Sequence, residues 1–186
     1  MTEDLAARLL SPEEAEKMGP RRGTEAAVLL ALYGWPERPG LILTERRADL
    51  RRHAGEISFP GGRRDEGDEG LLATALREAH EEIGLDPAEV ALRGALPPTS
   101  TFVTGYRIHP FVGLVPNPRE LGLEPNPGEV ETVLTFSLQA LAEGYAMRRL
   151  IRRGVPLHLP TYEVEGHLIW GATARILGEL LDRLGR

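Results

Sequence analysis

The feature that most constrains this chain is an acidic segment at residues 77–85, where three glutamates are spaced for one turn of a helix. Glu78, Glu81 and Glu82 are related as i, i+3 and i+4, so an α-helix places their carboxylates on one face. Adjacent negative charges repel each other, and Arg77 can relieve this only in part, through Glu81 at i+4. A hard cation such as Mg²⁺ or Mn²⁺ prefers carboxylate oxygen and would neutralise the rest. The spacing therefore indicates either a metal site or a solvated acidic face.

A glycine-rich loop before this segment favours the metal site. Residues 55–62 read Gly-Glu-Ile-Ser-Phe-Pro-Gly-Gly, which predicts a short strand leading into a bend with unusual backbone angles. In such a bend, carbonyl groups can ligate a metal ion and amide groups can approach an anion. A helix is expected to follow from about residue 69 to residue 83, with Asp68 capping its first turn and Gly84 ending it. Loop and helix together predict a site where a metal ion meets an anionic ligand.

Short apolar runs bounded by glycine or proline predict a sheet-based α/β fold. Five runs are expected to be single strands and two more a hairpin: residues 26–33, 40–44, 90–96, 108–115 and 130–136, then 157–162 and 166–170. Helices are expected at residues 4–17, where Ser11-Pro12 marks a break or a second helix start, and at residues 137–143 and 172–184. Because the chain has 186 residues and no long linker, it is expected to form one domain over residues 1–186.

Composition narrows the ligand that the site would take. The chain has no cysteine, so any metal must be bound by oxygen or imidazole. Its 22 basic and 28 acidic residues argue against a nucleic acid as the partner, and no apolar run is long enough to cross a bilayer. Residues 1–18 lack the apolar middle of a secretory signal, which predicts a cytoplasmic protein. A local basic cluster nevertheless suits a small anion: Arg46, Arg47, Arg51, Arg52 and His53.

The acidic segment resembles the second half of the Nudix box, which runs Gly, five residues, Glu, seven residues, then Arg-Glu-apolar-any-Glu-Glu-any-Gly-apolar. The matching positions are Arg77, Glu78, Ala79, Glu81, Glu82, Gly84 and Leu85. The first half of the box is one residue longer here. The spacing of five residues after Gly62 places the first acidic position of the box at Asp68. The spacing of seven residues before Arg77 places it at Glu69. Either acid is therefore a candidate for the first glutamate of the box.

A similar longer spacing, with Asp at this place, occurs in one branch of the family, the coenzyme A diphosphatases. That branch also has an upstream pattern: Leu-Leu-Thr-any-Arg, a small residue, then Arg, Gly and Phe-Pro-Gly-Gly at fixed intervals. The chain is similar to it at Ile42-Leu43-Thr44-Glu45-Arg46-Arg47, then Arg51, Gly55 and Phe59-Pro60-Gly61-Gly62. Ile42 is a mild departure, and Arg47 stands where the branch usually has Ser or Ala. The resemblance covers residues 24–178 approximately, which leaves residues 1–20 as an N-terminal helical extension.

The resemblance implies a Nudix-type α/β/α sandwich with a mixed sheet between helices. It implies hydrolysis of coenzyme A to 4′-phosphopantetheine and adenosine 3′,5′-bisphosphate, with Mg²⁺ or Mn²⁺ required. A metal ion at the bridging oxygens neutralises the diphosphate and acidifies the attacking water. The expected metal ligands are Glu78, Glu82, Glu81 and the Gly62 carbonyl, and the expected catalytic residues are Glu81, Glu78 and Arg77. Arg46, Arg51, His53 and Gly61 are expected to bind substrate, with Glu129, Asp68 and Glu69 as further candidates. Glu81 is the preferred base, although helix geometry alone does not separate the base from the ligands.

Two other functions remain open at this stage. Because the metal helix recognises the linkage and not its substituents, ADP-ribose or NADH is an alternative small-molecule substrate. A non-catalytic Nudix domain that senses nucleotides is the second alternative, although a sensor would not need the costly acidic cluster. A homodimer is one possible assembly. Four further side chains are considered for a substrate pocket, with packing in the core the stronger expectation: Tyr106, His109, Tyr145 and Trp170.

Overall fold

The computed structural model describes residues 4–18, 23–48, 55–101, 105–152 and 155–185. The strands are β1 (Thr24–Tyr33), β2 (Gly40–Arg46), β3 (Ile57–Ser58), β4 (Gly61–Arg63), β5 (Ala91–Ala95), β6 (Thr99–Ser100), β7 (Tyr106–Leu114), β8 (Val130–Ser137), β9 (Tyr145–Arg152), β10 (Val155–Val164) and β11 (His167–Ile169). The α-helices are α1 (Pro12–Lys17), α2 (Leu71–Ile83), α3 (Leu138–Glu143) and α4 (Gly171–Leu184), and short 3-10 helices span Leu5–Arg8 and Pro87–Glu89. Within the described ranges, no helix is both long and apolar enough to cross a membrane.

The larger sheet is mixed. Its main path runs β3-β2-β1-β7-β5, and β4, β6 and β8 pair with β1, β7 and β2 respectively. Strand β1 is parallel to β7 from Thr24 opposite Tyr106 to Leu32 opposite Leu114, whereas β2 and β4 are antiparallel to β1. A separate three-stranded sheet has the order β11-β10-β9 and is antiparallel, which confirms the hairpin expected near the C-terminal end.

Helices cover both faces of the larger sheet. Successive side chains of a strand point to opposite faces, and β1 shows this directly. Its residues Ala27, Leu29 and Ala31 pack in one core cluster with α2, whereas Leu30 and Leu32 pack in a second cluster with α4. The expected α/β/α sandwich with a mixed sheet between helices is thus confirmed. Because β1 is central and buried on both faces, it fixes the positions of the helices that pack on it, including α2.

Helix α2 begins later than the sequence predicts. It starts at Leu71 with Gly70 as the N-cap, and no side chain accepts a hydrogen bond from its first turn. The prediction that Asp68 caps this turn is therefore wrong, because the Asp68 carboxylate bonds to side chains further along the helix. The predicted end is confirmed: Gly84 has φ 69° and its amide donates to the carbonyl of His80 at 2.9 Å.

The N-terminal segment is divided and packs on the core. Ser11 forms a capping box with Glu14, so the second helix start expected at Ser11-Pro12 is confirmed and α1 is a separate short helix. Leu10 exchanges two backbone hydrogen bonds with Ala95, and the buried Arg107 donates to the Glu16 carbonyl at 3.2 Å. These bonds tie the predicted extension to the edge of the larger sheet.

Strand β9 is the longest element that the sequence pattern missed. Its alternate positions Met147 and Ile151 are exposed, so the strand has no buried face that a period-two pattern would reveal. The short strand predicted within residues 55–62 is confirmed as β3, whereas β4 and β6 were missed, because runs of two or three residues carry no periodicity. The remaining strand and helix predictions agree with the structure to within a few residues at their ends.

Candidate metal and catalytic site

The glycine loop and the acidic helix are in contact. Strand β4 pairs with β1, with Gly61 opposite Val28 and Gly62 opposite Ala27, and α2 packs on the same strand. This brings the Gly61 amide to the Glu82 carboxylate, with N to Oε2 at 3.1 Å. The loop and helix that the sequence singled out therefore form one site.

The two glycines are required for different reasons. Gly61 has φ 156°, and a Cβ there would lie 2.3 Å from the Ala27 carbonyl oxygen, so only glycine suits the backbone. At Gly62 a Cβ would lie 2.4 Å from the carboxyl carbon of Glu78. The second glycine thus leaves space for the Glu78 side chain.

Glu82 is the most buried acid of the site. Its residue exposure is 3%, its Oε2 accepts from Gly61 and its Oε1 lies 3.8 Å from Arg46 Nη1. Burial raises the pKa of Glu82 to about 7, with the negative charge of Glu78 acting in the same direction. A cation beside this carboxylate would remove that cost, so the environment of Glu82 suits a metal ion.

The charges of neighbouring acids affect both Glu78 and Glu82. Burial raises the pKa of Glu78, Arg77 opposes this, and the charges of Glu81 and Glu129 add to the rise. The charge of Glu129 also raises the pKa of Glu82. The exposed Glu129, on the turn before β8, therefore acts on these two carboxylates through its charge.

Arg77 connects the acids of the helix to the loop before it. Its Nη1 contacts Glu81 Oε2 at 3.0 Å and Glu78 Oε1 at 3.1 Å. Its Nη2 donates to the Arg63 carbonyl at 3.1 Å, and its Nε to Asp68 Oδ1 at 2.9 Å. Arg77 thus offsets part of the repulsion among the glutamates, as the i+4 spacing predicted.

Asp68, and not Glu69, is the acid that meets Arg77. Its two carboxylate oxygens accept from Arg77 Nε and Nη2, and Oδ2 also accepts from the Thr74 hydroxyl at 2.8 Å. The hydrogen bond from Arg77 holds the pKa of Asp68 well below its usual range. Glu69 is exposed and lines a different cavity, with α1 residues such as Glu13. Of the two acids that the sequence spacing left open, Asp68 is thus the one that pairs with Arg77.

The three glutamates of α2 do not form a preformed set of metal ligands. The side chain of Glu81 is 53% exposed and bound to Arg77, whereas those of Glu78 and Glu82 are 16% and 4% exposed. Among the residues that the structure describes, no three His, Asp or Glu side chains are already arranged around a metal position. Mg²⁺ commonly uses one or two carboxylates and completes its shell with water and substrate phosphate, and Glu78 with Glu82 suits that kind of site.

Other predicted residues have separate outcomes. Arg46 lies at the site, beside Glu82, whereas Arg51 and His53 fall outside the described residues. The Gly61 amide was expected to bind a substrate anion, but it donates to Glu82, and a single N–H makes one such bond. Gly61 therefore orients a carboxylate in this structure.

The four side chains considered for a pocket do not gather at the acidic cluster. Tyr106 accepts from Arg63 Nε at 2.6 Å, and Tyr145 packs on Tyr162 with ring centroids 5.5 Å apart. His109 is only 2% exposed within the sheet, which agrees with the expectation that it packs in the core. Trp170 is the N-cap residue of α4, on the face of the sheet opposite α2.

Sequence reasoning missed one residue at the site, Asn126. Its amide donates to the Glu82 carbonyl at 2.8 Å, and its carbonyl accepts from Glu129 at 3.0 Å. The available signal was the run Asn-Pro-Gly at residues 126–128, which is typical of a turn with a side-chain acceptor.

Comparisons with known proteins agree with this geometry. The NUDIX domain model matches residues 23–154. A Shigella sonnei protein named "Uncharacterized Nudix hydrolase NudL" is 39% identical over 190 residues, covering 100% of this chain and 95% of its own. The fold is similar to that of a MutT/nudix family protein from Enterococcus faecalis, with a TM-score of 0.60 and 14% identity, covering 93% of this chain and 66% of that one. It is also similar to the NUDIX domain of Shewanella oneidensis NrtR complexed with ADP ribose, with a TM-score of 0.52, 16% identity and coverage of 70% and 85%.

The family model covers well over half of the chain, and the Shigella sonnei relative matches it from end to end. The acidic helix and its glycine loop lie within the matched range. The chain therefore belongs to the Nudix family and is a Nudix hydrolase of a diphosphate-containing substrate.

Proposed function

We propose that the protein hydrolyses the diphosphate linkage of coenzyme A, releasing 4′-phosphopantetheine and adenosine 3′,5′-bisphosphate, with Mg²⁺ or Mn²⁺ bound. The observation that carries the hydrolytic part is the buried Glu82 and the partly buried Glu78 against the Gly61-Gly62 backbone. The choice of coenzyme A rests on the upstream pattern from Ile42 to Gly62, which resembles the coenzyme A diphosphatase branch.

Glu78 and Glu82 are the proposed metal ligands, with the backbone of Gly62 as a third donor. When bound, the metal ion neutralises phosphoryl charge and lowers the pKa of a water molecule. The chain contributes the orientation of the ligands. Gly61 donates to one oxygen of Glu82, and Arg77 contacts one oxygen of Glu78, which leaves each carboxylate a further oxygen.

Glu81 is the proposed general base. Its side chain is 53% exposed, so water and substrate can reach it, and Arg77 holds it at 3.0 Å on the same face as Glu78. A base must lie within hydrogen-bond reach of the water that it deprotonates, and an accessible carboxylate beside the ligands meets that condition. Glu129 is the second candidate, because its charge acts on both proposed ligands.

Arg46 is the proposed contact for a substrate phosphate. Its Nη1 lies 3.8 Å from Glu82, and its Nε is buried with no hydrogen-bond partner among the described residues. A guanidinium offers several donors in a planar arrangement, which suits phosphate oxygens. Arg51 and His53 are retained as proposed phosphate contacts on the sequence pattern alone.

Turnover of coenzyme A, ADP-ribose and NADH at equal concentrations tests the substrate. Each reaction is run with Mg²⁺ and with Mn²⁺, and products are separated by chromatography. We expect the highest kcat/KM with coenzyme A and the two products named above. A higher kcat/KM with ADP-ribose or NADH would defeat the choice of coenzyme A and leave diphosphate hydrolysis in place.

A nucleotide sensor without turnover is the second candidate function. One structural neighbour, the NrtR domain, was crystallised with ADP ribose, and its 16% identity supports only a common fold. The intact acidic cluster favours an enzyme, because three unneutralised carboxylates cost stability. Binding of ADP-ribose without consumption of any of the three compounds would favour the sensor.

Three further properties stay predictions from the sequence: a single domain over residues 1–186, a cytoplasmic location and a homodimer. Light scattering on the purified full-length chain measures the mass in solution. A mass close to 20.4 kDa would exclude the dimer under those conditions.

A further inference from the structure

The smaller sheet has an open edge at β9. Its strand order is β11-β10-β9, and β9 pairs with β10 along its whole length, from Tyr145 to Arg152. No described strand pairs with the other side of β9. An edge of this kind presents a row of backbone N–H and C=O groups to which another chain can bond. The outer side of β9 is therefore a candidate interaction surface.

The hydrogen bonds of the hairpin indicate which backbone groups of β9 point outward. The Glu163 amide donates to the Gly144 carbonyl at 2.9 Å, one residue before β9 begins. In an antiparallel pair, residues bonded to the neighbouring strand alternate with residues that are not. Residues 146, 148, 150 and 152 therefore bond to β10. The remaining four direct their N–H and C=O groups away from β10 and are the outward residues of β9: Tyr145, Met147, Arg149 and Ile151.

Prolines protect the far side of this hairpin but not β9. Beyond residues 162–164, which pair with β11, no described strand covers the far side of β10. Pro156 and Pro160 lie opposite two outward residues of β9, so theirs are the backbone nitrogens that face away from the hairpin. Proline has no N–H, and proline at an edge opposes pairing with another chain. Strand β9 contains no proline, so its edge keeps the ability to pair.

The outward residues share one face of β9, and this face is largely apolar. Alternate side chains of a strand lie on the same face, and three of these four are exposed apolar groups. Tyr145 is 52% exposed, Met147 47% and Ile151 72%. Together with Pro160 and Tyr162, Tyr145 lines an open cavity of about 560 Å³ against α4. Adjacent exposed apolar side chains beside an open cavity are typical of a surface that binds another molecule.

A second copy of the chain fits this edge. Two β9 strands related by a twofold axis are antiparallel and use the same surface. With the axis at Arg148, Tyr145 lies opposite the partner's Ile151, and Met147 lies opposite the partner's Arg149. Each opposed pair can exchange two backbone hydrogen bonds, because all of these are outward residues. An axis at Met147 or at Arg149 would instead leave Ile151 or Tyr145 opposite a residue outside β9.

The apolar face supports this register. The partner's Ile151 would lie beside Tyr145, at the cavity that Tyr145 lines. The α4 side of the same cavity carries two acids, Glu179 and Asp182. Arg149 of each copy lies on the apolar face, so the approaching strand brings a positive charge towards an acidic helix. Charge and apolar surface are thus complementary between two copies.

The opposite face contains the one pair of like charges that this register creates. Each Arg148 would lie opposite the partner's Arg148 at the axis. Within each chain, however, the Arg148 guanidinium donates to the Glu163 carboxylate on the same face. Two ion pairs therefore meet at the axis, and their net charges do not repel.

We propose that the protein forms a homodimer in which two β9 strands pair antiparallel about a twofold axis at Arg148 and join both smaller sheets into one. The homodimer expected from the sequence had no assigned surface, and this proposal assigns one. None of the outward residues belongs to the candidate metal and catalytic site, so the proposal does not depend on the substrate.

A single cysteine tests the register, because the chain has no cysteine of its own. At the axis, residue 148 of the two copies forms a non-hydrogen-bonded pair with Cα atoms about 4.5 Å apart, which a disulfide can span. Arg148→Cys should therefore give a disulfide-linked dimer on mild oxidation, seen by non-reducing electrophoresis. Ala146→Cys is the matched control, because residue 146 lies on the same face but at least about 13 Å from its copy. It should remain unlinked.

Sedimentation equilibrium of the full-length chain tests the association. The mass should rise with concentration from 20.4 kDa towards twice that value. Ile151→Lys should weaken the dimer by about tenfold or more, because it removes an apolar contact with Tyr145. Leu157→Lys is its control, because Leu157 is exposed on the other face of the hairpin, and this variant should stay within about threefold of the wild type. Met147→Pro removes an outward N–H and no bond to β10, so it should also weaken the dimer by about tenfold.

The melting temperature of each variant checks its fold, and Ile151→Lys decides if Met147→Pro does not fold. A mass of 20.4 kDa at every concentration would overturn the proposal. A dimer that Ile151→Lys leaves unchanged would use another surface, and equal cross-linking of Arg148→Cys and Ala146→Cys would refute the register. A chain that stays monomeric and binds vesicles of anionic phospholipid through Ile151 would assign the edge to a membrane surface instead.

Discussion

Replacing Gly62 with alanine should separate the geometry of the site from the stability of the fold. The new Cβ would lie 2.4 Å from the Glu78 carboxyl carbon, and ordinary contact begins at 3.4 Å. The carboxylate must therefore move by about 1 Å, and a displacement of that size can cost about 100-fold in rate. The stability cost is small because the carboxylate is the end of a flexible side chain, and alanine restricts the unfolded chain. We expect a free energy of unfolding within about 1 kcal/mol of the wild type.

Two neighbouring glycines serve as references. At Gly61 a Cβ would lie 2.3 Å from the Ala27 carbonyl oxygen and 2.6 Å from Val28 Cα, and backbone atoms cannot move aside. With the strain of a positive φ, Gly61→Ala should lose about 3 kcal/mol or more. For a chain of this length, that loss lowers the melting temperature by about 6–12 °C. A Cβ at Gly67 meets nothing within 4 Å, so Gly67→Ala should behave as the wild type.

The assay measures kcat/KM with saturating Mg²⁺, the Mn²⁺ dissociation constant and the melting temperature for each alanine variant. For Gly62→Ala we expect a loss of about 100-fold in kcat/KM with a melting temperature within about 4 °C of the wild type. If Gly62→Ala keeps kcat/KM within threefold of the wild type, the position of Glu78 against Gly62 does not matter to the reaction. If it melts as low as Gly61→Ala, the glycine serves the fold instead.

Three further predictions concern Glu82, Asp68 and His109. Glu82→Gln should keep the fold and lose most turnover, because the amide is a poor metal ligand; circular dichroism and steady-state kinetics at saturating Mg²⁺ check both parts. Asp68→Asn should lower kcat/KM by about tenfold or more through the loss of the charged pair with Arg77, whereas Glu69→Gln should leave it unchanged. Burial, with the charge of Arg107, lowers the pKa of His109 to about 4, below the value of about 6.5 in an unfolded chain. The contribution of His109 to the free energy of unfolding is therefore fully present above about pH 6.5 and is lost as the pH falls to about 4. Denaturant titrations of His109→Leu across this pH range should show a decline in the free energy of unfolding that is smaller than in the wild type by about 3 kcal/mol. An equally steep decline in the variant would exclude His109 as its source.

Local features of the fold were readable from the chain alone. Apolar runs between glycines and prolines marked β1, β2, β7 and β8, and Gly84 marked the end of α2. These features depend on periodicity and on backbone conformations of single residues, which the sequence states directly. Strand β9 escaped because an exposed edge strand buries neither face and so leaves no alternating pattern.

The candidate site was also predicted only in part from the sequence. The i, i+3, i+4 spacing determined that Glu78, Glu81 and Glu82 lie on neighbouring turns of one helix, and Gly61-Gly62 determined that a backbone without side chains precedes it. Which carboxylate is buried was decided by tertiary packing. Strand β4 lies beside α2 and covers Glu82, while Glu81 projects to solvent and pairs with Arg77.

Only the tertiary structure paired Arg77 with Asp68 rather than with Glu69, and joined Asn126 to the backbone of Glu82. The number of residues in a loop does not reveal which of two adjacent acids faces a given arginine, because one inserted residue changes the direction in which the following side chains point. Contacts between distant segments, such as the Asn126 amide with the Glu82 carbonyl, depend on how β2, α2 and the turn before β8 pack together. Sequence by itself determined the chemistry that the site offers, and packing of distant segments determined which groups share one space.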